Sequence, residues 1–439
     1  MLLSIEKLIY GGDGLARLPA DASGRGKAAF LPFVLADEKV EASIIEQKPG
    51  FARARVDAIL EPSPHRIQPG CAYFGRCGGC HYQHASYEHQ IEIKKQILRE
   101  TIKRTAKIEL PVEIESHPSP PWNYRNRSRL QIQTNPSFAI GYYKMGSHEL
   151  LPIEQCPISS PLINRGIASI WCSGREARVP HGISEIEFFA SADDTQLLIE
   201  ISCAVDSRRA AVREWVEGWQ AAMHEVAGVA VSRRANSGSE ERLLRLGANY
   251  LTYNTARASY RVSSGSFFQT NRHLTDELVK IVTSGQSGEV VLDLYAGVGL
   301  FSTALACDFR HIVSVESSQT SSGDLAYNLP SNGEAIQATA EQYLGRAGNA
   351  KSGQGVHSGT TGTPDLVIVD PPRSGLGERV ARKLAISGAP RVVYVSCDPA
   401  TLARDLVPLL GRGYRIEQAH LVDLFPQTYH IETVLHLAR

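Results

Sequence analysis

Cys397, in the run RVVYVSCDP, and Glu432, in YHIETVLHLA, have the types that covalent catalysis needs. One is a thiol that can become a nucleophile, the other a carboxylate that can move a proton. Taken singly, a cysteine closing an apolar run is as a rule a small buried hydrophobe. Cys71, Cys77 and Cys80 form a second group, close together in Cys-x5-Cys-x2-Cys spacing. Soft thiolates so placed suit zinc or an iron–sulfur centre, and spacing alone does not separate the two. A third group is Asp293-Leu-Tyr-Ala-Gly297-Val-Gly299, followed by Glu316. Glycines after a strand let the backbone approach a ligand, and an acid about twenty residues on can accept hydrogen bonds from both ribose hydroxyls. A dinucleotide fingerprint would need glycine at 302, where Ser302 stands, so the pattern suits an adenosyl group without phosphates. Asp370, in VIVDPPR, closes another apolar run before stiffening prolines.

The elements that must position these residues are regular from about residue 289. VVLDLYA, HIVSVES, EAIQATA, DLVIVDPP and RVVYVSCDP read as strands separated by helical segments, which gives a parallel sheet covered on both faces. RIEQAHLVDLF and ETVLHLA are separated only by PQTYHI, too short for a crossover helix, and should pair antiparallel. A strand entering antiparallel starts at the edge where parallel strands end, so Cys397 and Glu432 should face one pocket. Residues 1–60 show six or so short β-branched or aromatic runs broken by Gly, Asp and Pro, the signature of a small barrel. A helix is expected from about Tyr87 to Thr105, with a basic face of Lys94, Lys95, Arg99, Lys103 and Arg104. WNYRNRSR (122–129) interleaves aromatics and arginines, which suits either RNA contact or a structural strand. Residues 130–260 are mixed, and 345–363 are Gly/Ser/Thr-rich and expected to form a mobile surface loop.

Bulk properties exclude some classes. The 439 residues are too many for one core. The segments divide as 1–60, 61–260 and 261–439. No apolar stretch approaches the roughly 18 residues of a membrane span, and the first residues lack a signal-like core, so a cytoplasmic location without membrane contact is expected. Lys+Arg and Asp+Glu both total 46, so a nucleic-acid partner would have to meet locally concentrated charge.

The chemistry that needs this nucleophile and base is methylation of a pyrimidine at C5. A thiolate adding to C6 makes C5 nucleophilic, and a base must later remove the C5 proton. GSFFQTN (265–271), DLYAGVGLFS (293–302), Glu316, VDPPRSG (369–375), VSCDPATLARDL (395–406) and DLFPQTYHIE (423–432) carry the resemblance. In these segments the sequence resembles the RNA 5-methyluridine (uracil-5-) methyltransferases. The resemblance implies an α/β fold with a Rossmann-like S-adenosylmethionine domain. It implies Cys397 as nucleophile and Glu432 as base. Gln269, Tyr295, Gly297, Gly299, Glu316 and Asp370 would contact S-adenosylmethionine. Residues 1–60 resemble a TRAM barrel, and Cys71, Cys77, Cys80 and Cys156 resemble a [4Fe-4S] site in a mixed α/β central domain. This layout favours 23S rRNA as substrate, with tRNA as the alternative and a monomer as the expected state. Ala338-Thr339-Ala340 departs from the family, many of whose members have an acid or amide near the adenine. A cytosine-5 enzyme, a radical enzyme built on the cluster and a non-catalytic RNA-binding protein are the competing readings.

Overall fold

The computed structural model describes residues 1–19, 26–205, 207–234, 240–349 and 363–439. The Gly/Ser/Thr-rich segment falls mostly outside them. Strands β1 (Leu2–Leu8), β2 (Asp13–Arg17), β3 (Ala28–Pro32), β4 (Lys39–Gln47) and β5 (Phe51–Glu61) form a closed barrel. Leu3 and Ile5 of β1 and Val40 and Ala42 of β4 point into it, the period of two that a strand with one buried face requires. The barrel has five strands among the described residues, against the six or so expected.

Helix α1 (Tyr87–Ala106) and strand β6 (Ile114–His117) follow the cysteine loop. Next come β7 (Arg127–Gln133), β8 (Ala139–Tyr143), β9 (Leu150–Pro152), α2 (Pro161–Arg175), β10 (Ile183–Ala190), β11 (Leu197–Cys203), α3 (Arg209–Ala222), β12 (Val226–Arg234) and β13 (Glu240–Gly247). Their strands make one sheet in the order β13-β12-β11-β10-β7-β8-β9, with α2 and α3 packed on its apolar face. A hairpin of β14 (Tyr250–Asn254) and β15 (Ser259–Ser263) leads onward.

The remaining elements are α4 (Thr275–Thr283), β16 (Gly288–Leu294), α5 (Leu300–Ala304), β17 (Phe309–Glu316), α6 (Gln319–Asn328), β18 (Gly333–Gln337), α7 (Ala340–Asn349), β19 (Leu366–Val369), α8 (Gly377–Ile386), β20 (Arg391–Ser396), α9 (Pro399–Leu410), β21 (Arg415–Val422) and β22 (Glu432–Ala438). They build a sheet ordered β18-β17-β16-β19-β20-β22-β21-β6. Successive residues feed opposite faces. Leu292, Val313, Val367 and Val392 join one apolar cluster, and Val291, Ile312, Leu366 and Val393 another, which explains why these strands read as continuous apolar runs. The expected hairpin is present, with β22 antiparallel to both β20 and β21.

Two features departed from expectation. Helix α1 and strand β6 lie in the 61–260 stretch, yet β6 pairs in parallel with β21 at the edge of the last sheet, and α1 packs on its core. Four of the five cations on the basic face of α1 are also paired among the described residues, Arg104 excepted. Lys94 is wholly buried, with Nζ 2.6 Å from Asp423 Oδ1 and 2.9 Å from Phe425 O. Lys95, Arg99 and Lys103 pair with Glu92, Glu113 and Glu109. In 122–129 the structure takes the interior alternative for Tyr124, which is buried and donates to Pro426 O at 3.0 Å. Arg127 likewise lies 4.3 Å over the Phe189 ring and pairs with Glu187.

Lys94→Ala would leave the Asp423 carboxylate buried without its cation. Such a break costs about 3–5 kcal/mol, so the urea unfolding midpoint of the full chain should fall clearly; an unchanged midpoint would show the pair to be unimportant.

Candidate active site

Strand β20 ends at Ser396, and the chain turns at once into α9. Asp398 caps that helix, its Oδ1 accepting from Ala400 N at 3.0 Å and Thr401 N at 2.9 Å, with Pro399 in the first turn. Both choices suit a helix start. They leave Cys397 in the elbow at the carboxyl edge of the sheet. Ser396 is directly opposite Thr433 on β22, so the next residues outward on the two strands are Cys397 and Glu432. Both line a cavity of about 600 Å3.

The same cavity gathers Gln269, Tyr295, Gly297, Glu316 and Asp370. Gly299 lies behind it, starting α5 with φ +92°. A Cβ there would come within 2.9 Å of Leu325 Cδ1, whereas one at Gly297 would meet nothing within 4 Å. Gly297 is therefore the open place in the loop, a cradle a ligand could fill. Glu316 is fixed by backbone donors, with Gly297 N at 2.9 Å from Oε2 and Ser318 N at 2.6 Å from Oε1. Ser302, at the missing glycine, is buried and donates to Asp293, while Ser314 donates to it at 2.8 Å.

The site is rich in acid and short of cation. Burial, then Glu432, then Asp370 push the Cys397 thiol up to about 12, with Arg373 opposing. Burial and Asp370 hold Glu432 well above the usual carboxylate range, again with Arg373 opposing. Burial, then Asp293, raises Asp370. Arg373 is thus the group that favours the charged forms of both Cys397 and Glu432. Its Nη2 donates to the His430 ring at 3.1 Å, and burial, then Arg373, lowers His430 to about 3. Sequence reasoning missed Arg373, although it stood inside the quoted DPPR motif. It also missed His430 and Phe267, which line the cavity, Phe267 with 60% of its surface exposed. Only their place in quoted segments could have marked them.

Thr339 lines a neighbouring cavity of about 300 Å3 that shares Tyr295, Ser317 and Pro372 with the first. Its Oγ1 accepts from Gln342 N at 3.1 Å and its N donates to Gln342 Oε1 at 3.0 Å. This reciprocal pair is a capping box for α7, so the departure from the family has a local structural use.

Cys71, Cys77, Cys80 and Cys156 line a separate cavity of about 380 Å3 with Tyr73, Phe74 and Ile158 among its apolar walls. All four are free thiols. Burial pushes Cys77 up to about 11 and Cys80 to about 12, and the neighbouring Cys156 adds to both. No three of the four sulfurs lie within 4.8 Å of one another, since among the described residues only Glu115, His117 and His420 form such a group. A single zinc ion, with Zn–S of about 2.3 Å, needs sulfurs roughly 3.8 Å apart.

Comparison with known proteins bears on the whole chain. Residues 86–439 match the tRNA (uracil-5-)-methyltransferase family, and residues 1–56 match the TRAM domain. The chain belongs to the tRNA (uracil-5-)-methyltransferase family. It is 34% identical to an uncharacterized RNA methyltransferase of Aquifex aeolicus, covering 98% of this chain and 97% of the relative. It is also 34% identical to the 23S rRNA (uracil(1939)-C(5))-methyltransferase RlmD of Chromohalobacter salexigens, covering 100% and 89%. The crystal structure of Pyrococcus abyssi tRNA (uracil-54, C5)-methyltransferase in complex with S-adenosyl-L-homocysteine superimposes with a TM-score of 0.74 at 22% identity, covering 100% of each chain. That likeness shows the methyltransferase fold, and the match of residues 1–56 puts a TRAM barrel before it. As a member of this uracil-5-methyltransferase family, the chain is an S-adenosylmethionine-dependent RNA methyltransferase.

The thiolate fraction of a thiol rises with pH until the pKa is passed, so alkylation of Cys397 in the free protein should keep rising past pH 9 instead of levelling there. Arg373→Ala removes the opposing cation and should slow alkylation further at any fixed pH. Peptide mapping after iodoacetamide treatment reads both; a plateau near neutral pH would contradict the electrostatics.

Proposed function

We propose that the chain methylates C5 of a uridine in 23S rRNA through a covalent adduct between Cys397 and uracil C6. The carrying observation is the strand register that sets Cys397 beside Glu432 on one cavity with Gly297 and Glu316. Bound S-adenosylmethionine supplies an electrophilic methyl group; Gly297 and Glu316 would hold its adenosyl part, and Gln269, Tyr295 and Asp370 the rest of it. The uracil must leave its stack to reach the cavity, and the exposed ring of Phe267 at the rim suits stacking on it.

The Cys397 thiolate adds to C6, and the electrons of the C5–C6 double bond move toward C5 and O4. C5 then takes the methyl group as its bond to the sulfonium sulfur breaks, leaving S-adenosylhomocysteine. The Glu432 carboxylate, made a stronger base by its burial, removes the C5 proton. The double bond reforms and the sulfur leaves as thiolate. Arg373 favours the thiolate before addition and the carboxylate before proton removal.

The 34% identity to the Chromohalobacter salexigens enzyme, whose name gives 23S rRNA, supports that RNA as the target; tRNA is the second reading, from the family's name. Mapping 5-methyluridine in rRNA and tRNA of cells lacking the protein separates them. For the thiol cavity, four soft ligands in apolar walls, spaced too widely for one tetrahedral ion, favour a [4Fe-4S] cluster. Its chemistry there is structural: it would tie the 71–80 loop to the strand region before Cys156.

Cys397→Ala should abolish methylation while leaving S-adenosylmethionine binding intact, and retained turnover would end the mechanism. Glu432→Gln should slow product release about 10²–10⁴-fold and accumulate an RNA adduct that survives denaturing gels; if none accumulates, another group is the base. Cys156→Ser should remove the iron–sulfur absorbance of anaerobically purified protein, and an unchanged spectrum would exclude Cys156 as a ligand.

A further inference from the structure

The paired edge strands β6 and β21 carry a second cluster of ligating side chains, away from all three cavities. Glu115 and His117 alternate onto one face of β6, and His420 stands across from Glu115 on β21. His117 Nε2 and His420 Nδ1 are 3.1 Å apart. Glu115 reaches both, with Oε1 3.9 Å from His117 Nε2 and Oε2 3.4 Å from His420 Nδ1. Ligands around a tetrahedral zinc ion at about 2.0–2.1 Å stand roughly 3.3 Å from one another, and these three atoms already approach that spacing.

The opposite nitrogens supply an independent argument. His117 Nδ1 lies 3.2 Å from Glu277 Oε1 on α4, and His420 Nε2 lies 3.3 Å from Gln418 Oε1. A carboxylate and an amide oxygen are acceptors, so a proton on the outer nitrogen of each ring would satisfy them and leave the inner nitrogen free to ligate a metal. The two inner nitrogens are 3.1 Å apart, within hydrogen-bond distance, so one shared proton can bridge them and a metal ion can take that proton's place. Metal-ligating histidines characteristically donate their other N–H to a carboxylate or carbonyl in this way.

We propose that Glu115, His117 and His420 bind one divalent transition-metal ion, zinc by the preference of imidazole and carboxylate ligands, with Glu277 and Gln418 orienting the two rings. The ion adds a metal link between β6 and β21 to the backbone and side-chain contacts that already join them. It lies outside the methylation chemistry and is independent of the thiol site.

Cobalt(II) titration of the full chain tests this. The wild type should show visible ligand-field bands that lack sulfur charge transfer, and should bind one more equivalent than His420→Gln. Glu115 is mostly exposed, so Glu115→Gln keeps the fold and should also lose the bands. Glu277→Gln should weaken zinc about 10–100-fold. In the wild type, zinc should raise the thermal midpoint, with no such rise in Glu115→Gln. Equal metal uptake by wild type and variants would overturn the proposal. So would absence of these bands from the wild type, which would mean that a bridging proton or a turned Gln418 amide satisfies the pair.

Discussion

The buried ammonium of Lys94 holds the turn on which the candidate site depends. That turn runs from Asp423 to Ile431 and delivers Glu432 to the start of β22. Lys94 grips it at Asp423 and at Phe425 O, while Gln90 exchanges hydrogen bonds with Gln427 through both its amide atoms. His81 and Tyr82, just past the cysteine loop, donate to Gln427 O at 2.8 and 3.0 Å. Asn271 donates to Leu424 O and Tyr124 to Pro426 O. A segment without regular structure is therefore as firmly held as a strand, by donors from four separate parts of the chain.

This arrangement joins the thiol loop to the acid–thiol pair through two residues. Cys80 ends the loop and His81 contacts the turn that leads to Glu432, its ring packing against Tyr429 at 4.6 Å between centroids. Tyr10 of the barrel also meets Tyr429 edge-on and donates to Cys397 O at the long distance of 3.5 Å. The barrel and the residues after the cysteine loop are thus built against the sheet edge that carries Cys397 and the turn before Glu432, and an RNA held by the barrel would lie next to it.

Local sequence patterns carried much of the architecture. Continuous apolar runs gave the parallel strands because both faces are buried, and the short PQTYHI link was enough to require antiparallel entry of β22. Cys397 and Glu432 were legible for the same reason: each adjoins the end of a strand whose direction the pattern determines. What the pattern could not reveal was pairing over distance. β6 is four residues long and meets β21 from the far side of the central sheet, so nothing near it in sequence marks its partner. The lysines and arginines of 94–129 read as a possible RNA surface because composition does not distinguish a solvated cation from one facing Asp423 or Glu187. Arg373 stood inside a quoted motif, but its effect on two anions required knowing that all three share one cavity.

The borrowed edge strand also bears on how such chains can recombine. β6 comes from the stretch before the central sheet, yet it satisfies the outer backbone groups of β21. A hybrid joined at residue 260, taking only the final segment from a relative, would match one lineage's edge strand to another's sheet. If the two did not fit, β21 would present bare N–H and C=O groups to solvent, the usual template for aggregation. The heritable unit of this enzyme is therefore discontinuous, and productive exchange has to carry residues 87–117 along with the sheet they complete.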